Sequence, residues 1–389
     1  MAIPLSYNLR NLMARRTTTL MTALGIGLSV AMLLSILAMV EGLRSAFAAT
    51  GHPLNVMVMR KGSTAELNST LAQETFRIIK TKPGVARDAR GEPKASLELV
   101  TVILLENPEI PSGININVRG LTADGFAMRD SDIRIVQGRM FQSGRREVVV
   151  GQGIADRYPM ARLGKPLQFG KGEWQVVGVM DAGRSAANSE VFCDLFQLAS
   201  DQNRETTLSS ALLRATDEVS MRVLMNTLAD DKQLSVDALP EAKYYADQTA
   251  SGQPIQAVGI LVAIIMAIGS GFAAMNTMYA AAARRSAEIG TLRVLGFSKL
   301  AILTSFVLES LLLSLLGAIF GCLLALPLNN LETGIGNSVT FSETTFSLRI
   351  TPAIMATGFA FALVIGGLGG LIPAASAARK EILTALRQN

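Results

Sequence analysis

The sequence predicts an α-helical membrane protein with four transmembrane helices and a large α+β extracytoplasmic domain inserted between the first and second helices. The mean hydropathy of the 389 residues is +0.35, and only 17% of them are charged, which is unusual for a soluble protein of this size. Four apolar runs reach the about 20 residues that cross a bilayer at about 1.5 Å per residue. About two hundred residues of mixed composition separate the first two runs.

The apolar runs set the predicted boundaries. Arg15 and Arg16 precede the first run, as in a secretory signal, but the run is too long and no convincing cleavage site follows. We therefore expect an uncleaved signal-anchor helix. The predicted segments are a cytoplasmic N-terminal helix (1–19), helix 1 (20–43), the inserted domain (44–252), helix 2 (253–283), a short cytoplasmic helix (284–298), helix 3 (299–328), a short outer loop (329–350), helix 4 (351–378) and a cytoplasmic tail (379–389).

Basic residues in the short connections orient the helices, because cytoplasmic loops carry an excess of Lys and Arg. The connection between helices 3 and 4 instead carries Glu332 and Glu343 against Arg349, which suits the outside. We therefore expect both termini in the cytoplasm and the inserted domain outside. The basic residues that support this orientation are Arg10, Arg15, Arg16, Arg284, Arg285, Arg293, Lys299, Arg379, Lys380 and Arg387.

The inserted domain alternates strand-like and helix-like segments. Gly and Pro punctuate it throughout, which is typical of a compact α+β domain. Residues 119–193 are richer in strands and turns, so we expect a separate strand-rich lobe. The strand-like segments include 55–59, 97–105, 147–150 and 173–179, and the helix-like segments include 74–80 and 218–229.

The sequence contains no motif that predicts a catalytic, cofactor or metal site. It has no G-x-x-x-x-G-K-[ST] phosphate loop, no H-E-x-x-H helix and nothing that resembles a nucleophile elbow. His52 is interpreted as an interfacial or surface residue, and Cys193 and Cys322 as ordinary small residues. The net charge of +5 forms no single basic patch of the kind that binds nucleic acid.

The apolar runs are nearly free of ionisable residues, which argues against a hydrophilic pathway between the helices. Glu309 is the main exception, with Asn276 near the cytoplasmic end of helix 2. Two interpretations of Glu309 stay open. It either packs between helices and pairs with a basic residue or backbone group, or it has a role in coupling.

Small residues four positions apart predict close contacts between helices. The spacing suits packing within one subunit and a seam between two subunits equally well. The pairs are Gly25 with Ser29, Gly317 with Gly321, and Gly366 with Gly370.

The connection between helices 2 and 3 is the most informative part of the chain. Ile289, Leu292 and Leu295 recur at helical spacing. Arg284 and Glu288 stand four apart on another face, so we expect a short amphipathic helix on the cytoplasmic surface. This helix is either a rigid lever between two spans or a surface helix that anchors the loop.

Two residues predict where that helix ends. Gly296 is suited to a left-handed cap at its C-terminus, and Ser298 is suited to cap the helix that follows.

The segment RRSAEIGTLRVLGFS at 284–298, with Glu309-Ser310 and the pair Gly317 and Gly321, resembles the permease region of the MacB/FtsX-like ABC transporter family. The opening NLRNL at 8–12 and the closing segment at 373–387 are similar to the opening and closing motifs of that family. The resemblance runs in order along essentially the whole chain and includes the four-span layout.

The resemblance implies a mechanotransmission permease. In this family two permease copies, identical or related, work with a cytoplasmic ABC ATPase on each half, and ATP and Mg²⁺ bind to the ATPase. The short helix before helix 3 seats on the ATPase, and ATPase closure is transmitted to the outer domains. The resemblance assigns this coupling to Arg284, Arg285, Glu288, Ile289, Gly290, Leu292, Arg293, Leu295 and Gly296.

The resemblance also implies a setting in the bacterial inner membrane. Exporting members often work with a periplasmic adaptor (membrane fusion) protein and an outer-membrane channel, while other members release lipoproteins or activate cell-wall hydrolases. The sequence has no fused nucleotide-binding domain, so we expect the ATPase to be a separate polypeptide. The length of the inserted domain is closer to the two-lobed exporter type, with its porter-like lobe.

The sequence therefore predicts a non-catalytic permease subunit that drives export or extraction of a substrate across the cell envelope. The alternative is a transmembrane regulator that activates a periplasmic or cell-wall hydrolase without transporting a substrate.

Overall fold

A computed structural model describes residues 5–14, 16–107, 110–129, 133–249, 253–337 and 340–379. The chain divides into two compact units. The helical unit comprises Met1–Glu41, Gln253–Leu331 and Leu348–Asn389, and the α+β unit comprises Gly42–Gly252 and Glu332–Ser347. The orientation signals at Arg15, Lys380 and Arg387 lie outside the described residues.

Four of the described helices, α2, α9, α11 and α12 below, are long and apolar enough to cross a membrane. The prediction of four membrane helices, with a domain inserted in the sequence between the first and the second, is confirmed. The α-helices are α1 (Leu5–Ala14), α2 (Arg16–Ala48), α3 (Gln73–Ile79), α4 (Ala123–Ala127), α5 (Gln152–Arg157), α6 (Leu195–Asp201), α7 (Glu218–Asp230), α8 (Glu241–Gln248), α9 (Gln253–Arg284), α10 (Ser286–Val294), α11 (Lys299–Ala325) and α12 (Pro352–Arg379).

Close glycine contacts hold the helical unit together. A Cβ built on Gly321 of α11 would lie 2.6 Å from the Cβ of Val30 and 2.7 Å from the carbonyl oxygen of Gly27, both on α2. Elsewhere on α11, the Ser310 hydroxyl donates a hydrogen bond of 2.6 Å to the carbonyl oxygen of Gly366 on α12. Larger side chains would separate these backbones, so the glycines allow the helices to approach each other.

The predicted small-residue positions differ in what they contact. Gly317, Gly321, Gly366 and Gly370 all face another helix of the same chain, so packing within one subunit accounts for them. Gly25 is exposed, and no atom lies within 4 Å of the position that its Cβ would occupy. Within the subunit, the close contact of this part of α2 with α11 is made by Gly27.

The α+β unit is built on one mixed sheet. The strands of the structure are β1 (Asn55–Arg60), β2 (Leu71–Ala72), β3 (Ala95–Asn107), β4 (Ile110–Leu121), β5 (Arg134–Gly138), β6 (Glu147–Gly151), β7 (Pro166–Phe169), β8 (Gly172–Asp181), β9 (Glu190–Asp194), β10 (Thr207–Leu208), β11 (Ser210–Arg214), β12 (Val236–Pro240), β13 (Glu332–Gly336) and β14 (Glu343–Ser347). The strand order is β12-β1-β11-β3-β4-β9-β6-β8-β5, and β7 pairs with β8. The pairs β4–β9 and β6–β8 are parallel, and the other neighbours are antiparallel.

The strand-rich segment 119–193 is joined to the rest of the unit through this sheet, because β3 pairs with β11 near one end and with β4 along the rest of its length. The segment also has a small core of its own, which contains Leu121, Ile133, Val149, Met180 and Phe192. The main core crosses the whole sheet and is covered in part by α7, whose first turn is capped by Asp217. The predicted lobe therefore has its own apolar core but shares its sheet.

A buried ionic cluster interrupts the apolar interior of the α+β unit. The guanidinium group of Arg119, which is 2% exposed, lies 2.8 Å from carboxylate oxygens of Glu66, Glu98 and Glu190. Arg129 lies 2.6 Å from the other oxygen of Glu98. The charge and hydrogen bonds of these partners keep Arg119 a cation, because paired and hydrogen-bonded charges offset the cost of leaving water.

The same pairing shifts the pKa values of Glu66 and Arg119. Burial would raise the pKa of the Glu66 carboxyl, but Arg119 and a hydrogen bond from Ser210 lower that pKa below its ordinary value. Burial would lower the pKa of Arg119, but Glu190 and Glu66 raise it well above the ordinary value. Glu66 and Arg119 are therefore held ionised, and their charges depend on one another.

Replacing Arg119 with Met should destabilise the α+β unit by about 3–5 kcal/mol, because three buried carboxylates lose a shared partner. Trp174, the single tryptophan of the chain, is buried in this unit, so its fluorescence reports denaturant unfolding there. Arg222→Met on the exposed face of α7 is the control and should change stability by less than about 0.5 kcal/mol. Equal stability of the two variants would contradict a structural role for the cluster.

Candidate functional site

The short helix α10 is a separate element, set between α9 and α11 by local backbone features. At Arg285 the backbone leaves helical geometry, with φ −105° and ψ 17°, so α10 starts in a new direction. At its other end, Phe297 N–H bonds to the Leu292 carbonyl and Gly296, with φ +90°, takes the left-handed position of a Schellman cap. The side chain of Ser298 caps α11 by accepting from Ala301 N–H at 3.1 Å. Both capping predictions are confirmed.

The predicted coupling residues of this segment fall into three groups. Arg285, Ile289 and Gly290 are buried, and Leu292 and Arg293 are half-buried. The exposed residues of the set are Arg284, Glu288, Leu295 and Gly296.

The apolar residues that recur at helical spacing differ in exposure. Ile289 packs inside, but Leu295 is 66% exposed, because α10 ends at Val294 and Leu295 lies in the cap. Together with Val294 and Leu300, which are 65% and 68% exposed, Leu295 forms an apolar knob. We call these three residues the α10 knob.

A buried ion pair fixes the start of α10. Arg285 Nη1 lies 2.9 Å from Glu309 Oε2 on α11, and neither side chain is more than 7% exposed. Arg285 Nε also lies 3.7 Å from Glu288 Oε2 on α10. The Tyr7 hydroxyl on α1 donates a hydrogen bond of 2.9 Å to the same Glu288 oxygen, and the Arg285 guanidinium carbon lies 5.4 Å from the Tyr7 ring centroid. We call Tyr7, Arg285, Glu288 and Glu309 the Arg285 cluster.

The Arg285 cluster joins three helices at one guanidinium group. Burial, helped by the hydrogen bond to the Glu288 carboxylate, raises the pKa of the Tyr7 phenol above its ordinary value, so this phenol stays a donor at physiological pH. The salt-bridge partner of Glu288 is Arg285 and not Arg284. The break at Arg285 leaves Arg284 in α9, out of register with α10. Glu309 has the basic partner that one interpretation required, and that partner stands at the entrance of the predicted coupling segment.

The segment between α11 and α12, predicted as a loop, forms the antiparallel hairpin β13–β14 and belongs to the α+β unit. Thr345 N–H donates a hydrogen bond of 2.6 Å to Ser189 Oγ. Glu343 pairs with Arg157 and accepts a hydrogen bond of 3.1 Å from the Tyr158 hydroxyl. The hairpin is thus fastened by charge and by hydrogen bonds to residues distant in sequence.

Three segments of the α+β unit that are next to apolar helices in the sequence meet in one region, which we call the base of the unit. They are the end of α2, the helix α8 and the hairpin. Phe47 of α2 stacks on Tyr245 of α8 with ring centroids 6.5 Å apart, and Asn337 of the hairpin donates a hydrogen bond of 2.9 Å to Gln248 of α8. A cavity of about 30 Å³ lies among these four residues, and Arg119 also lines it. The ionic cluster of the core therefore lies against the base.

The residues interpreted as non-functional have ordinary surroundings. His52 is half-buried, and its Nδ1 accepts a hydrogen bond of 3.1 Å from Leu54 N–H. Cys193 and Cys322 are free and buried. In the portions of the chain that the structure describes, no group of three or more His, Cys, Asp or Glu side chains is placed to hold a metal ion.

Sequence reasoning missed Tyr7, the hairpin and the base. Tyr7 lies 281 positions from Glu288, so no local pattern could pair them. The hairpin left a weak signal, because Thr344, Thr345 and Phe346 are residue types that favour strands.

Comparison with protein-family models identifies the two parts of the chain. A model described as the MacB-like periplasmic core domain matches residues 19–230, which is more than half of the chain. A model described as the FtsX-like permease C-terminal matches residues 260–382. The chain belongs to the MacB/FtsX-like family of ABC transporter permeases. The inserted domain of this permease is thus the periplasmic core domain, and α10 and the Arg285 cluster residues Arg285, Glu288 and Glu309 fall within the FtsX-like part.

Individual relatives are distant. The pyoverdine export ATP-binding/permease protein PvdT of Pseudomonas entomophila (strain L48) is 26% identical over 280 residues, which cover 65% of this permease and 40% of PvdT. The macrolide export ATP-binding/permease protein MacB 1/2 of Paracoccus denitrificans (strain Pd 1222) is 24% identical over 419 residues, which cover 100% of this permease and 59% of the relative. The permease therefore spans between 40% and 59% of the length of these two curated relatives.

One solved structure is similar over the periplasmic domain. The periplasmic region of MacB from Actinobacillus actinomycetemcomitans is 13% identical, with a TM-score of 0.37, and the match covers 50% of this permease and 92% of that region.

The Arg285–Glu309 pair should show the energetics of a buried ion pair in a double-mutant cycle. Arg285→Met or Glu309→Met alone leaves one buried charge unpaired and should cost about 3–5 kcal/mol, whereas the double variant should be much closer to wild type. The measurement is thermal unfolding of the full chain in detergent, followed by helical circular dichroism. Lys299→Met, at an exposed position, is the control. Additive losses in the double variant would show that the two side chains do not interact.

Proposed function

We propose that this permease transmits the force of ATP hydrolysis, made by a cytoplasmic ABC ATPase, to its periplasmic domain and so drives export of a substrate across the cell envelope. The observation that carries the proposal is α10, which presents an exposed apolar knob at one end. At the other end it is tied to α11 by the buried Arg285–Glu309 ion pair and to α1 by the Tyr7–Glu288 hydrogen bond. A movement of α10 is therefore passed to α11 and α1.

The α10 knob is better suited to contact with a protein partner than to contact with water. Its three aliphatic side chains are each about two-thirds exposed, and the basic residues Arg293 and Lys299 are adjacent to them in sequence. Apolar centres with a polar rim are typical of protein interfaces. The excess of Arg and Lys supports a cytoplasmic location for this connection, where an ABC ATPase would meet it.

The helical unit suits transmission better than passage of a polar solute. In the described parts of its helices, the buried charged side chains are Arg285 and Glu309, and they neutralise each other. The glycine contacts of α11 with α2 and α12 leave little room for independent movement, and closely packed helices shift as units. Glu309 acts here as a coupling acid through its pairing with Arg285.

The proposed assembly contains two permease copies, identical or related, and two ATPase subunits that bind ATP and Mg²⁺. Gly25 and the exposed side chains of Met21 and Leu28 form an apolar face on α2 that fits a second copy. The assembly lies in the bacterial inner membrane with the termini in the cytoplasm. A periplasmic adaptor protein and an outer-membrane channel complete the export route.

The names of the relatives support export as the direction of transport. Both curated relatives described above carry export in their names, for pyoverdine and for macrolides. Export therefore takes precedence over activation of a cell-wall hydrolase in this proposal.

Leu295→Asp should weaken binding of the ATPase strongly, because it places a charge in the centre of the knob. At a central interface position the loss is about 2 kcal/mol or more, which is about 30-fold in affinity. The measurement is binding of the co-expressed ATPase to the purified permease, together with the ATPase rate of the complex.

Leu295→Met is the matched control and should bind as wild type does. Because Leu295 is 66% exposed, neither variant should alter the thermal unfolding of the permease. Full ATPase binding by a folded Leu295→Asp variant would overturn the proposed role of α10.

A further inference from the structure

A groove of about 690 Å³ opens on the α+β unit beside α3, α4 and α6. The buried side chains of Leu97 and Leu195 lie within it, and Phe76 and Phe196 flank it. Phe196 is 62% exposed. The volume falls within the about 300–1,000 Å³ of known small-molecule sites, and an exposed aromatic ring beside such a groove offers it a surface for stacking.

The α3 side of the groove is cationic. Arg77 and Lys80 both line it from one face of α3, and Lys80 Nζ lies 5.8 Å from the ring centroid of Phe76. Among the side chains that the structure describes, neither cation has a carboxylate within 4.0 Å. Two acids also line the groove, Glu92 and Asp124, and Asp124 has Arg90 at 4.0 Å. The two cations of α3 are therefore available to an anion that enters the groove.

A second cavity of about 470 Å³ adjoins the first and shares Arg90, Glu92, Pro93 and Asp124 with it. Its remaining lining includes Lys94 and is mostly charged or polar. The first cavity thus combines the Phe76 and Phe196 rings with the cations of Arg77 and Lys80, and the second adds further charged and polar side chains. A molecule with an apolar body and polar substituents matches this combination.

We propose that this groove binds a small amphipathic anion. Its aromatic or aliphatic part packs on Phe76 and Phe196, and its carboxylate or other acidic group pairs with Arg77 and Lys80. The inference names the substrate class of the export function proposed above and rests on it in that respect. In the described parts of the helical unit the buried charged side chains are Arg285 and Glu309, so we place reception of the substrate on the periplasmic domain, and the groove is a site for that step.

Binding is tested on the full-length permease in nanodiscs, without ATPase, by ¹⁹F NMR. The probe is 4-(trifluoromethyl)phenylacetate, and the comparison probe is its neutral amide, with empty nanodiscs subtracted. We expect saturable binding of the acid and at least about fivefold weaker binding of the amide, because only the acid can pair with the cations.

Two pairs of variants assign the binding to the groove. Arg77→Glu and Phe196→Ser should each weaken acid binding about tenfold. Arg222→Glu and Val219→Ser, at exposed positions of α7, are the matched controls and should bind as wild type does; Val219 is 62% exposed, like Phe196. Non-saturable binding, equal binding of acid and amide, or equal effects of Arg77→Glu and Arg222→Glu would overturn the inference.

The two proposals fail separately in these tests. If the groove does not bind the acid, the proposed binding of the ATPase at α10 is unaffected, since the NMR measurement contains no ATPase. Failure of Leu295→Asp to release the ATPase would leave acid binding in the groove intact but would remove its link to export.

Discussion

One ion pair, between Arg285 and Glu309, determines how the short helix α10 meets the apolar helices. Both charges are nearly buried, and each would be costly without the other, so the pair permits few alternative arrangements of the junction. Glu288 and Tyr7 extend the pair to α10 itself and to α1. The helix α10 is thus held at its start by charged groups, and its apolar C-terminal end is exposed.

The base of the α+β unit is likewise held together by specific side-chain contacts. The end of α2, α8 and the hairpin β13–β14 are fastened there by aromatic stacking, hydrogen bonds and the Glu343 ion pair. Arg119 and its carboxylates lie behind them in the core. Because paired buried charges are costly to separate, the base resists local deformation.

Local sequence patterns predicted much of this structure. Contacts between residues far apart in the sequence could not be predicted from such patterns. Length and hydropathy predicted the four membrane helices, and the chemistry of Gly296 and Ser298 predicted the two caps, since these depend on neighbouring residues only. The exposure of Leu295 depends on where α10 ends, and the partner of Glu309 depends on a helix break at Arg285. Tyr7, the hairpin and the Arg119 cluster join residues far apart in sequence. The groove beside α3 combines side chains from several elements for the same reason.

The central claim is that ATP bound by the partner ATPase moves the periplasmic domain. A single spin label at Arg222→Cys on α7, with Cys193 and Cys322 replaced by Ala, reports the distance between two permease copies in the assembled complex by electron double resonance. The account predicts that this distance distribution changes between the nucleotide-free complex and the complex trapped with ATP. Identical distributions in the two states, in a complex that hydrolyses ATP, would contradict it.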